Sequence, residues 1–378
     1  MRLPTDTDLV QWQLHLESVL AHLADTDLRQ ATARISDPAV HDAAAVYITR
    51  PSKRLLGMAF LHAAHTLGAA AHDDDLVAVA TALEVRHGGI LLHDDIVDGD
   101  TQRGGQPTAH HTLAATFGPE AASAAFFAGD ILAAIAPLPI LRSTLPASLR
   151  ARLTEIVQRT TAEVAAGQTE QLHLDAVQDP QTVSQDTILR VHSGQFAPYL
   201  LCSLHLAAAL AEHDDTVLER ITEAGIPLCQ AFEVQNDLAG FRELARVLAR
   251  EEPADPVPTL ANTSDLARRR RTVLVRAALD HLPHTDRARL LAYLDGADDD
   301  LTAITRLIHD SRAEDLCSGL IGDLQIQARE RITTDPHLPA PVRTALAATY
   351  GYMTALYDPA SPVSRLYLRA RPELQPAA

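Results

Sequence analysis

Lysine is almost missing from this chain. Lys53 stands alone among 32 basic residues, and arginine supplies the rest. The basic residues are outnumbered by 49 acids, for a formal charge of −17. That balance excludes a nucleic-acid partner, which needs basic patches against phosphates. Arg268–Arg271 is the one dense basic run, and it reads as a solvated helix start. Aromatics make up only 4 % of a chain that is 47 % hydrophobic and rich in alanine, which favours close-packed helices over sheets. Cys202, Cys229 and Cys317 are few, odd in number and far apart, so no disulfide framework is expected and a reducing compartment is. Met1–Gln11 lacks the apolar stretch of a signal peptide. No run of about 18 apolar residues occurs, so no membrane-spanning helix is expected. These absences describe a soluble, cytoplasmic protein.

What is present is helical periodicity. Apolar residues recur at three- and four-residue spacing over Leu55–Ala71, Leu76–Val97, Glu120–Ile140, Ala147–Leu174, Ile188–Leu210 and Val217–Leu248. Pro-, Gly- and Asp-rich breaks separate them, the longest being Glu251–Asp265. A second helical set follows at Leu266–Leu282, Thr285–His309, Arg312–Thr333 and Pro341–Leu356. No alternation of period two stands out. The expectation is an all-α bundle of about a dozen helices over residues 1–357, with a Pro-rich tail at 358–378.

Three acid runs invite comparison. Asp73–Asp75 and Asp298–Asp300 each precede an apolar helical pattern, where aspartate accepts from free N–H groups and suits the helix dipole. Both read as caps. Asp94, Asp95 and Asp98 fall late in their helix, where the dipole disfavours negative charge. On a helix Asp94 and Asp98 point roughly 40° apart, on one face. Like charges so placed require a cation, and Mg²⁺ is commonly held by one or two carboxylates plus substrate phosphates. Zinc fits less well: His87 and His93 are near, but no His/Cys cluster has ligand spacing.

The stretch LLHDDIVDGDTQRGGQPTAH, residues 91–110, resembles the first aspartate-rich motif of the trans-isoprenyl diphosphate synthases (polyprenyl synthetases), DDxxD followed by RRG and a PT step. PSKRL, with Lys53 and Arg54, resembles that family's GGKR segment. His87, the Gly129–Asp130 step and the Gly167–Gln168 step follow in the family's order, and Phe232–Gly240, FEVQNDLAG, stands where its second motif, FQxxDDxxD, belongs. The resemblance covers residues 45 to 355. It implies a helical bundle around a central cavity, three Mg²⁺ ions, an allylic isoprenyl diphosphate as substrate and a homodimer. It implies metal ligands at Asp94, Asp95, Asp98, Asn236 and Asp237, with Asp94, Asp98 and Arg103 catalytic; Glu243 joins the candidate ligands through a second likeness, to a terpene-cyclase metal motif. It places substrate contacts at Lys53, Arg54, His87, Arg103, Gln168, His192 and Phe232. Heterolysis of the allylic diphosphate needs the departing charge stabilised, and metal plus arginine does so without proton transfer. Gly88 and Gly89 read either as room for a C15–C20 tail or as close helix packing.

Departures from the family pattern carry as much weight. The second motif keeps only Asp237, its other acids becoming Asn236 and Gly240. One family lysine corresponds to His192, and a later one, two before a threonine, to Val257. In the site for isopentenyl diphosphate Lys53 and His87 remain, but the expected arginines are Leu56 and Gly104. Each charge-assisted phosphate contact is worth roughly 1.5–3 kcal/mol, so losing two weakens binding by on the order of a hundredfold unless Arg54 or Arg86 compensates. Asn236, Gly240 and Glu243 share a helical face and resemble the metal motif of class I terpene cyclases, although the cyclase acid falls at Leu244.

These features order three readings. The first is ionisation of an allylic diphosphate without elongation, the cation being cyclised or passed to an acceptor other than isopentenyl diphosphate. Against it, a cyclase usually lines its cavity with aromatics and this chain has few, although Phe126, Phe127, Phe196, Tyr199 and Phe232 all fall on motif-bearing helices. The second is a divergent prenyltransferase that elongates with isopentenyl diphosphate. The third is a non-catalytic partner subunit, which has no need of mutually repelling acids.

Overall fold

Leucine and alanine at helical spacing fold most of the chain into helices. The computed structural model describes residues 3–103, 106–177, 179–248, 265–357 and 361. Along the chain the helices are α1 Asp6–Leu23, α2 Arg29–Thr32, α3 Ala39–Thr49, α4 Leu55–Leu67, α5 Asp73–Asp98, α6 Ala109–Phe117, α7 Ala121–Ile135 and α8 Leu138–Arg142. They continue as α9 Ala147–Asp175, α10 Gln185–Leu210, α11 Asp215–Leu248, α12 Val273–His281, α13 His284–Leu294, α14 Leu301–His309, α15 Ala313–Thr334 and α16 Ala340–Tyr357. Among the described residues the only strands are the two-residue β1, Gln102–Arg103, and β2, Gln106–Pro107, paired antiparallel.

Local chemistry sets the ends. Thr5 and Asp8 form a capping box at the start of α1. Asp73–Asp75 occupy the first turn of α5, and Asp75 also accepts from the Thr144 backbone N–H and hydroxyl, both at 2.7 Å. Asp300 caps α14 through the Ala303 N–H at 3.0 Å, which splits the expected Thr285–His309 segment into α13 and α14. The solvated reading of Arg268–Arg271 is corrected. These residues precede α12, and Arg271 is buried, donating to the carbonyls of Arg269 and Val177. Arg268 and Arg270 instead face Asp265.

The chain divides into two compact units: Met1–Arg159 with Leu201–Ile221 and Asp335–Ala378, and Thr160–Leu200 with Thr222–Thr334. In the first, α5 packs against α3, α4 and α7, and α16 against α4. Phe60, Leu61, Leu83, Leu92 and Leu113 are fully buried there, each worth about 1.5–3 kcal/mol on removal from water. Gly88 and Gly89 belong to this packing. A Cβ on Gly88 would lie 2.8 Å from Ile48 Cγ2, and one on Gly89 3.0 Å from the Gly129 carbonyl. Neither glycine opens room for a substrate tail. In the second unit α12 packs on α15, and Phe241, Leu244, Leu274, Leu290, Ile304 and Ile308 form much of the core.

Two stretches, Asp73–Asp98 and Ala109–Arg142, have the length and apolarity to cross a membrane, where none was expected. The first is 72 % buried inside the protein, and the second, 39 % buried, is interrupted at Gly118–Glu120 and Ala136–Pro137. The three cysteines are buried and form no disulfide. The expected break at 251–265 apart from Asp265, with Val257 in it, lies outside the described residues, as do Gly104 and the tail at 358–378 apart from Ser361.

Candidate active site

The first unit presents the Asp94–Arg103 motif. Gly99 takes φ 65°, a left-handed conformation that glycine adopts without a Cβ penalty, and it stops α5 one residue after Asp98. The Asp100 N–H returns to the Asp95 carbonyl at 2.9 Å. The chain then turns through β1 and β2, and Thr108 closes the loop by donating its hydroxyl to the Asp100 carbonyl at 2.6 Å. This path carries the Arg103 guanidinium back over the acids. Its Nε donates to Asp95, and its Nη2 lies 3.2 Å from Asp94 and 3.6 Å from Asp100.

Asp95 is fully buried. Its second oxygen accepts from the Tyr47 hydroxyl at 2.5 Å, and that hydroxyl in turn accepts from the Ala109 N–H at 3.1 Å. One tyrosine therefore ties α3, α5 and the start of α6 together. Burial pushes the Asp95 carboxyl above its ordinary range, against the pull of Arg103. Burial pulls Arg103 down, but Asp95 and Asp94 more than restore it, so its net shift is upward. The expected metal trio thus separates. Asp94 and Asp98 are half-buried near the helix end, while Asp95 spends its oxygens on Tyr47 and Arg103.

His87 lies two turns before Asp94 on α5, half-buried. Burial and the nearby charges of Arg103, Arg50 and Arg54 push its pKa down to about 3, so the imidazole is neutral. Lys53 is half-buried, with its pKa lowered by burial. Arg54 departs from its expected substrate role. Its side chain is 2 % exposed, between Glu84 at 3.8 Å and Glu17 at 3.9 Å, and its Nη2 donates to the Arg50 carbonyl. Gly129 is explained by His93, whose ring would lie 2.3 Å from a Cβ there and whose Nε2 donates to the Phe126 carbonyl at 3.0 Å.

The second unit presents the other motif. Asp237 on α11 has a side chain 11 % exposed and sits 3.9 Å from His192 on α10. Burial and the adjacent carboxylate of Asp265 push Asp237 well above the usual carboxylate range, Glu233 adds to this, and Arg270 opposes it. Burial lowers His192 to about 4. Phe196 and Phe232 stack in parallel at 4.9 Å. Gln195 donates to Gln168 at 2.9 Å, across a tight approach where a Cβ on Gly167 would lie 2.2 Å from the Gly194 carbonyl. Asn236 is exposed. Glu243, expected as a ligand, accepts from Arg246 at 2.8 Å, and Leu244 is core.

Two residues escaped the sequence reading. Asp265 is the acid beside Asp237, and Arg270 is the cation facing that pair. Arg270 stands two residues before Thr272, the spacing that had been matched at Val257 instead. Its signal was hidden inside the basic run.

Among the described residues no three His, Cys, Asp or Glu side chains converge into a metal cage. The donors present still suit Mg²⁺, which takes one or two carboxylates and fills its octahedron from water and phosphate. Paired carboxylates at Asp237 and Asp265 likewise favour a cation or a shared proton.

The fold is that of the isoprenoid synthases. A geranylgeranyl pyrophosphate synthase structure from Corynebacterium glutamicum, complexed with isoprenyl diphosphate and magnesium, superposes with a TM-score of 0.73 over 92 % of this chain and 99 % of that one, at 22 % identity. Residues 37–310 match the polyprenyl synthetase family, and the chain belongs to it. A geranylgeranyl diphosphate synthase of Mycobacterium tuberculosis is 31 % identical over 206 residues, 54 % of this chain and 53 % of that protein. The chain thus matches about half the length of that relative. A geranylfarnesyl diphosphate synthase of Natronomonas pharaonis is 24 % identical over 69 % of this chain and 70 % of its own length.

Proposed function

We propose that this protein is a Mg²⁺-dependent trans-prenyltransferase that lengthens an allylic isoprenyl diphosphate with isopentenyl diphosphate. The observation that carries the reading is the Arg103 clasp on Asp94 and Asp95, with Asp98 one turn on, in a chain of the polyprenyl synthetase family. The relatives named above favour elongation over the cyclising reaction that the altered second motif suggested, and the order of the two readings reverses.

In the proposed reaction the allylic C1–O bond breaks and its electron pair leaves with the diphosphate. The isopentenyl double bond then forms the new carbon–carbon bond, and a proton is lost from the isopentenyl C2. Bound Mg²⁺ supplies Lewis-acid stabilisation of the diphosphate oxygens. Arg103 adds a fixed positive charge that needs no reorganisation as the leaving group develops. Asp94, Asp98, Asn236 and Asp237 are the proposed ligands, and three ions the proposed complement. Asp95 is a positioning residue that aims Arg103. Lys53 and His87 are the proposed isopentenyl contacts, and Gln168, His192 and Phe232 the proposed allylic ones.

The proposal extends to a C15–C20 substrate, by analogy with the relatives' names, and to a cytoplasmic homodimer. Phe126 and Phe127, 47 % and 64 % exposed on α7, support a partner-covered face there. The deciding experiment incubates the protein with Mg²⁺ and farnesyl or geranylgeranyl diphosphate, with and without isopentenyl diphosphate, and identifies the products by mass spectrometry. Longer diphosphates that form only with isopentenyl diphosphate are expected. Hydrocarbon or alcohol from the allylic substrate alone would restore the cyclising reading. No turnover with any chain length would favour a non-catalytic subunit.

A further inference from the structure

The guanidinium of Arg50 lacks the partner its burial calls for. It follows the last residue of α3, is half-buried, and stacks over the Tyr47 ring with its Cζ 5.0 Å from the centroid. Among the described residues no carboxylate lies within 4.0 Å of it. The arginines around it are satisfied: Arg54 by Glu84 and Glu17, and Arg103 by Asp94, Asp95 and Asp100. A partly desolvated cation held on an aromatic face and facing other cations is costly unless an anion completes it. The charge of Arg50 reaches both Arg103 and His87.

We propose that Arg50 is a direct ligand of the isopentenyl diphosphate group, taking over the contact that the family's arginine makes at the position of Leu56. This rests on the prenyltransferase reading above. Leu56 is 1 % exposed in the core and offers nothing to an anion. His87 and Asp94 are seven residues apart on one helix, so they share a face with about 10 Å between them along the axis. That spacing separates two diphosphates: one at Asp94 and Asp98, the other at His87. Arg103 sits beside the first, and Arg50 joins Lys53 as a cation available to the second. The neutral His87 imidazole offers an N–H there without adding a charge. Tyr47 serves both positions at once. Its hydroxyl fixes Asp95 while its ring carries Arg50.

The test compares the wild-type protein with Arg50→Gln and Arg50→Lys. Metal-free binding of isopentenyl diphosphate and of inorganic diphosphate is measured by calorimetry, and the KM of each substrate by product formation. Arg50→Gln is expected to weaken isopentenyl diphosphate binding, and to raise its KM, ten- to a hundredfold. The allylic KM should stay within about twofold, and Arg50→Lys should recover part of the loss, which a purely structural role would not produce. Isopentenyl diphosphate binding by Arg50→Gln within twofold of wild type overturns the proposal, as does failure of the folded wild-type protein to bind either anion. Should the wild type bind isopentenyl diphosphate without elongating it, the prenyltransferase reading fails, and the Arg50 assignment stands or falls on the binding constants.

Discussion

The two acid motifs handle negative charge in opposite ways. At Asp94–Asp98 the most buried carboxylate, Asp95, accepts from the Tyr47 hydroxyl and the Arg103 guanidinium, which both oppose the effect of burial. At Asp237 the adjacent carboxylate of Asp265 adds to the effect of burial, and the positive charge of Arg270 only partly offsets it. The first motif is preorganised around its own arginine. The second is held in tension and gains most from a bound cation. The thinned motif keeps a carboxylate pair through an acid outside it.

The largest effect should come from breaking the first motif. Asp94→Ala is expected to lower kcat by about a thousandfold, as removal of a preorganised charge contact does. Asp74→Ala, on a side chain 92 % exposed at the other end of α5, should leave kcat within twofold. Equal losses in the two variants would mean that the acid runs were sorted wrongly.

Tyr47→Phe probes what holds that motif in place. It strips one donor from the fully buried Asp95 and one acceptor from the Ala109 N–H. Urea unfolding should show a loss of about 1–3 kcal/mol, with lower turnover because Arg103 loses its aim.

Restoring the second motif should act on metal use rather than on folding. Asn236→Asp combined with Gly240→Asp adds two carboxylates to the exposed turn of α11. Half-saturation by Mg²⁺ is expected to fall severalfold, since affinity follows ligand charge. An unchanged Mg²⁺ titration would place Asn236 away from the metal.

Stability should also fall with acid, more steeply in the first unit. His62, stacked on Tyr352 and bonded to Thr349 at 3.0 Å, and His205 are both held to about 4 by burial. Their lowered folded values mean that the unfolded chain binds more protons between pH 4 and 6.5. Their contribution is therefore complete above about pH 6.5 and is lost as pH falls through that window, by up to about 1.4 kcal/mol per unit for each group. His62→Gln should flatten the pH dependence of the unfolding midpoint.

The smallest effect belongs to Glu243→Ala. A half-exposed ion pair is worth about 0–1 kcal/mol, and kcat should change less than threefold. A hundredfold loss would return Glu243 to the metal site and favour the cyclase-like motif.

Most of the helices were legible because apolar periodicity and Asp or Gly punctuation act locally. Leu76–Val97 became α5 with little change, and Asp300 caps α14 as its chemistry requires, whereas Asp73–Asp75 lie in the first turn of α5 without a cap bond, Asp75 accepting from Thr144 instead. The helices before residue 50 and the short α6 were missed, their patterns being brief or mixed with polar residues. The first motif was legible because it is contiguous. Tyr47 was not, since its value depends on a fold that brings residues 47, 95 and 109 together. Arg270 was concealed by its neighbours, and Arg54 was misjudged because sequence carries no sign that Glu84 waits in the core beside it. The Gly88–Gly89 pair shows the same limit, for only packing decides whether a small residue makes space or removes it.

The most direct test follows release of inorganic diphosphate from farnesyl or geranylgeranyl diphosphate, in Mg²⁺, as isopentenyl diphosphate is raised from zero. Elongation predicts negligible release at zero and a saturable rise that matches formation of the longer product mole for mole. Full-rate release without isopentenyl diphosphate would contradict it.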